Sequence, residues 1–120
     1  MAREFSTRSR DPPVRGTWKA SFQTTHKDFK EKVEVSQFLH WVWGTITDND
    51  THRKYSFRGS LRQNVLVATY EIERNPSALD VGSFTLCLDF DGERLEGRYA
   101  WIDRQKRDVD SGKYEWERLH

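Results

Sequence analysis

The stretch Leu95–Leu119, LEGRYAWIDRQKRDVDSGKYEWERL, decides the fold. In its first part Leu95, Gly97, Tyr99 and Trp101 take every second position; in its second, Gly112, Tyr114 and Trp116 do the same. A period of two is the pleat of a strand with one buried face. The stretch therefore predicts an antiparallel hairpin with four rings, Tyr99, Trp101, Tyr114 and Trp116, on one side. The pattern does not account for the loop, where Arg104, Lys106 and Arg107 are crowded among Asp103, Asp108 and Asp110.

Working outward, the same period governs the chain from Gly16. Trp18, Ala20 and Phe22 form a first run, Val33 and Val35 lead to Gln37 in a second, and Trp41 to Thr47 make a third. Tyr55, Phe57 and Leu61 follow, then Leu66, Ala68, Tyr70 and Ile72, then Phe84, Leu86, Leu88 and Phe90. With the closing hairpin there are eight strands and no helix beyond a possible short turn at Lys27–Lys32. The third run leaves two inward faces open, Trp41 with Trp43 or Val42 with Ile46.

The links between strands are of two kinds. The second, fourth and sixth are tight, around Phe38-Leu39, Arg62-Gln63 and Asp91-Gly92, the last a two-residue hairpin signal. The first, third, fifth and seventh are longer, at His26–Glu31, Asp48–Arg53, Asn75–Val81 and Arg104–Asp110. In an up-and-down meander odd and even links lie at opposite ends, so one end is pinched and the other carries a crown of loops. Eight alternating strands close without an exposed edge. The expected fold is all-β, an eight-stranded antiparallel up-and-down barrel of the lipocalin-like kind, over residues 16–120. Gly44, Gly59, Gly82, Gly97 and Gly112 fit bends or close approaches at barrel corners.

Composition narrows the function classes. The 120 residues carry a formal net charge of +1, which argues against a general DNA or RNA binder. Residues 1–15, MAREFSTRSRDPPVR, are locally basic, aperiodic and close with Pro12-Pro13; they read as a disordered or juxtamembrane lead-in. The single Cys87 excludes an internal disulfide and suits a reducing compartment. No apolar run approaches the roughly 18 residues of a membrane helix, so the chain as given is expected to be cytoplasmic.

Catalytic and metal motifs are absent from the pattern: the four histidines lack ligand spacing, and no phosphate loop or nucleophile elbow is present. No cofactor, no metal and no enzymatic activity are expected. Trp18 and Arg118 become neighbours once the first and last strands pair, and a guanidinium stacked on that indole would close the narrow end. At the other end Tyr55, Tyr70, Trp101 and Tyr114 are inward, with Arg53, Arg74 and Arg104 at the rim. Rings offer faces for bases to stack on and guanidinium forks match phosphates; the bland alternative is an ordinary core under a solvated rim that also carries Asp48, Asp50, Asp103, Asp108 and Asp110.

The segments GTWKASF, VEVSQ, ATYE, GSFTLCL, LEGRYAWIDR and SGKYEWER, in that order, resemble the β-barrel domain of bacterial two-transmembrane effectors associated with CD-NTase enzymes in CBASS antiphage defence. The resemblance runs from Gly16 to Leu119. It implies a sensor that binds a cyclic oligonucleotide, most simply a cyclic dinucleotide, and self-associates, acting on the inner membrane through helices that this chain lacks. The chain would then be an excised soluble domain of a membrane-associated effector or a free-standing relative. The alternatives are a lipocalin-like carrier of an apolar small molecule, a filled barrel serving as an assembly surface, and a barrel enzyme. The last would need an interior acid or base, sought at Asp103 or beside Gln37.

Overall fold

The computed structural model describes residues 13–24, 28–73, 81–103 and 107–120. Eight strands follow one another: β1 (Gly16–Gln23), β2 (Asp28–Phe38), β3 (Trp41–Asp48), β4 (Lys54–Arg62), β5 (Val65–Ile72), β6 (Val81–Leu88), β7 (Arg94–Asp103) and β8 (Asp108–Arg118). Each pairs antiparallel with its successor, and β8 returns to β1, so the sheet is a closed barrel. The closing seam sets Trp18 opposite Arg118, Ala20 opposite Trp116 and Phe22 opposite Tyr114.

Closure gives the alternation a single interior. Trp18, Ala20, Val33, Val35, Phe57, Leu61, Leu66, Ala68, Phe84, Leu86, Leu95 and Trp116 are buried together. The third strand turns Val42 and Ile46 inward and leaves Trp41 and Trp43 exposed. Val42 and Ile46 share the parity of Gly44, whose position decides the face: a side chain there would collide with the backbone carbonyl of Glu34 on β2. Such close strand approach tolerates only hydrogen.

Four sequence expectations are corrected. Lys27–Lys32 contains no turn of helix among its described residues: β2 begins at Asp28, and Glu31 pairs with Ala20 on one side and Asp48 on the other. The strand gains ladder hydrogen bonds on both flanks, which a lone turn of helix would forfeit. Phe90 lies beyond the end of β6, fully exposed, because the chain has already entered the 89–93 turn. There Asp89 Oδ1 accepts the backbone N–H groups of Glu93 and Arg94, so the sixth link is not the two-residue hairpin expected at Asp91-Gly92 but a longer turn over 89–93 built on the Asp89 carboxylate. The fourth link turns at Gln63-Asn64, both with positive φ, the backbone of a type I′ hairpin.

The pinched end is plugged by the segment that precedes β1. Val14, assigned by its sequence to the lead-in, is fully buried. Its N–H donates to Gln37 Oε1 at 2.7 Å and its carbonyl accepts the Trp18 indole N–H at 2.8 Å. Arg118 spans the closure: its guanidinium carbon lies 4.3 Å from the Trp18 ring centroid, while Nε, Nη1 and Nη2 donate to the carbonyls of Gly92, Arg15 and Pro13. One side chain thus holds the entry of the chain, the seam and the 89–93 turn.

Arg118→Ala should lower the unfolding free energy by about 2 kcal/mol, because charge-assisted hydrogen bonds and an indole stack are lost together. Arg118→Lys should recover less than half, since an ammonium cannot reproduce the planar fork. Urea titration followed by tryptophan fluorescence reads both; an unchanged midpoint in the alanine variant would remove the closing role.

Candidate functional site

Below mid-barrel the interior is filled by Trp18, Trp116, Phe84 and the leucines. Towards the long links the side chains diverge and leave a cavity of about 240 Å³. An engineered cavity of roughly 150 Å³ holds benzene, and whole small-ligand sites begin near about 300 Å³. The space therefore takes one ring system, with the remainder of a larger ligand outside.

The walls are aromatic. Phe22, Tyr99 and Tyr114 form a triangle of edge contacts, with centroids 5.1 to 5.9 Å apart. Tyr55 and Tyr70 meet edge-on across β4 and β5 at 5.8 Å, and Trp101 completes the ring of side chains on β7. Two glycines make room: Gly82 lies against the Tyr70 phenol and Gly112 against the Tyr99 phenol, each where a methyl group would collide. Arg53 and Thr51, in the link between β3 and β4, stand at the mouth.

Of the positions nominated from sequence, Tyr55, Tyr70, Trp101, Tyr114 and Arg53 line this one cavity. Arg74 and Arg104 lie outside the described residues. Trp18 and Arg118 are at the opposite end, in the closure. Tyr55, Tyr70 and Trp101 are half-buried on the cavity wall, Tyr70 being stacked on Phe84 at 6.2 Å, whereas Tyr114 is only 4 % exposed and its hydroxyl is engaged below. Tyr114 belongs to the floor rather than to a stacking wall.

That floor is acidic, which sequence reasoning missed. Glu31 on β2 and Asp48 on β3 are register partners, 6 % and 8 % exposed, and both line the cavity. Tyr114 O–H donates to Glu31 Oε1 at 2.6 Å. Asp48 Oδ1 accepts the N–H groups of Asp50 and Thr51 at 2.8 and 2.9 Å, which shapes the link. The signal was parity: Glu31 continues Val33 and Val35, and Asp48 continues Val42, Gly44 and Ile46.

Burial raises the Glu31 carboxyl, the Tyr114 hydrogen bond draws it partly back, and Asp48 opposes ionisation further; together they set its pKa at about 7. Burial also raises Tyr99, with Asp110 adding to it, and raises Tyr114 well above the phenol range, with Glu31 opposing loss of its proton. Near neutrality Glu31 is thus divided between acid and carboxylate. Gln37 plays no such part: it bonds the Val14 N–H and the Leu39 carbonyl at the closed end.

Between pH 4.5 and about 7 the folded chain keeps a proton on Glu31 that the unfolded chain releases. The stability from that proton is complete below the lower value and is lost as pH rises through the upper one. Glu31→Gln, uncharged throughout, should therefore gain on the parent between pH 5 and pH 8, by on the order of 3 kcal/mol at the top. Denaturant titrations at a series of pH values test this; a gap independent of pH would contradict it.

The chain matches no protein-family model and none of the curated proteins.

Proposed function

We propose that the barrel is a receptor for a cyclic oligonucleotide, most simply a cyclic dinucleotide, and that it inserts one base into the cup without altering it. The single observation that supports this is the cavity itself: a ring-lined space for one ring system, with Arg53 at its lip. A base would stack on Trp101, Tyr55 and Tyr70, each stacked face contributing about 1–3 kcal/mol. Arg53 would meet a phosphate left outside, where its fork suits the geometry. The resemblance of the chain to the barrel domain of CBASS effectors points the same way, and it carries two further parts of the proposal. Ligand binding drives self-association, and the activity belongs to antiphage defence at the inner membrane.

An apolar cargo, as in a lipocalin-like carrier, fits the rings but would cover Glu31 and Asp48 without adding a donor to either, a costly arrangement. A specific observation does favour a second reading. Glu31 is the interior acid that a barrel enzyme needs, held in a largely aromatic cavity with its pKa near neutrality. Under that reading a bound small molecule would be converted; under the first it is recovered unchanged.

Calorimetric titration against a panel of cyclic di- and trinucleotides, with chromatography of the recovered ligand, separates the two. Trp101→Ala should weaken binding about tenfold or more. Arg53→Ala should weaken it less and reduce its salt dependence. Sedimentation with and without ligand should show the bound form at higher mass. No heat from any member of the panel would end the proposal.

A further inference from the structure

The cup has rings on its walls and carboxylates at its base, a combination that the stacking argument leaves unexplained. Stacking is indifferent to which base enters, because every base has a π-face. The floor is not indifferent. Glu31 and Asp48 are each more than nine-tenths buried and both line the cavity, Glu31 Oε1 accepting from the Tyr114 hydroxyl and Asp48 Oδ1 from the N–H groups of Asp50 and Thr51. Buried carboxylate oxygens are costly unless they accept hydrogen bonds. The bond from Tyr114 occupies only part of the capacity of Oε1, since each carboxylate oxygen has two acceptor sites. The group that enters therefore has to bring donors.

We propose that Glu31, with Asp48 beside it, selects the inserted ring by accepting from two adjacent N–H groups, so that the cup prefers guanine-type edges to adenine or uracil. This rests on the reading of the barrel as a cyclic nucleotide receptor. Guanine presents N1–H next to its exocyclic N2 amine, a match for one carboxylate. Adenine presents a donor beside an acceptor, and uracil a single donor between two acceptors. An aryl amidinium, planar and with paired donors, shares the guanine chemistry and would enter the same floor from another source.

The pairing needs the ionised carboxylate, so affinity for guanine ligands follows the titration of Glu31. The groups that face Glu31 are Asp48 on β3, Tyr99 on β7, Tyr114 on β8 and Arg53 at the mouth, with Asp110 on β8 acting on Tyr99 behind them. Asp48 disfavours the charge, while a donor pair favours it, so binding near pH 6 expels a proton.

The test is calorimetry of the whole chain with cyclic di-GMP, cyclic di-AMP, cyclic di-UMP and benzamidine at pH 6 and pH 8, in buffers of different ionisation enthalpy. Cyclic di-GMP should bind about tenfold or more tightly than the other two nucleotides. Its affinity should rise about tenfold from pH 6 to pH 8, in proportion to the ionised fraction, with a buffer-dependent heat at pH 6. Glu31→Gln turns the floor into a donor beside an acceptor. It should abolish the pH dependence and move the preference to cyclic di-AMP. Asp48→Asn, which keeps the turn-forming oxygen, should shift the pH midpoint downwards while retaining the guanine preference. Equal binding of all three nucleotides, a parental preference for adenine or uracil, or a Glu31→Gln variant with unchanged selectivity would overturn the inference and leave the receptor standing. Binding of benzamidine alone, weakened by Glu31→Gln, would keep the donor-selective floor and overturn the nucleotide. Silence from all four would overturn both.

Discussion

The seam between β1 and β8 is the constraint on which the rest of the structure depends. An eight-stranded meander without it would be an open sheet, with two exposed edges and no distinction between core and lining. Pairing Ala20 with Trp116 and Phe22 with Tyr114 converts that sheet into a closed surface. Every residue of one parity then points to the same interior. The seam is secured where the chain enters: Arg118 holds three carbonyls and covers Trp18, and Val14 fills the space beneath. The two ends of the barrel follow as a consequence, one plugged and one left open.

The open end joins two requirements that oppose each other. Aromatic walls exclude water and reward the burial of a flat group, yet the same exclusion makes carboxylates at the base expensive. The protein meets part of that cost by leaving a proton on Glu31 through most of the acid range and by the short hydrogen bond from Tyr114. Stability therefore follows the ionisation of Glu31, and the proposed recognition of a donor-bearing ligand would act on the same group.

Most of the barrel was legible in the residues. Alternation in LEGRYAWIDR and SGKYEWER has one physical reading, a hairpin with a ring-bearing face, and the up-and-down order puts odd and even links at opposite ends, although link length alone does not tell the ends apart: the sixth link, 89–93, is as long as the third. Tyr55, Tyr70, Trp101 and Tyr114 were found because their parity matches residues whose burial is unambiguous. Glu31 and Asp48 have the same parity and were passed over. A charged residue at the end of an alternating run ordinarily marks where the strand meets solvent, and Asp48 also begins a turn.

What the sequence by itself determined is the period of each strand, the order of the links and hence the two candidate faces of each strand, because a pleat admits only two. Tertiary structure alone decided how far each strand runs before its face reaches solvent. That depends on the neighbours: Glu31 is buried because β1 and β3 extend alongside it, and Asp48 because Glu31 sits opposite. It also decided the direction of the third strand, where Trp41 and Trp43 yield to Val42 and Ile46. The close approach of β2 at Gly44 is a distance between chains, and no local pattern encodes it.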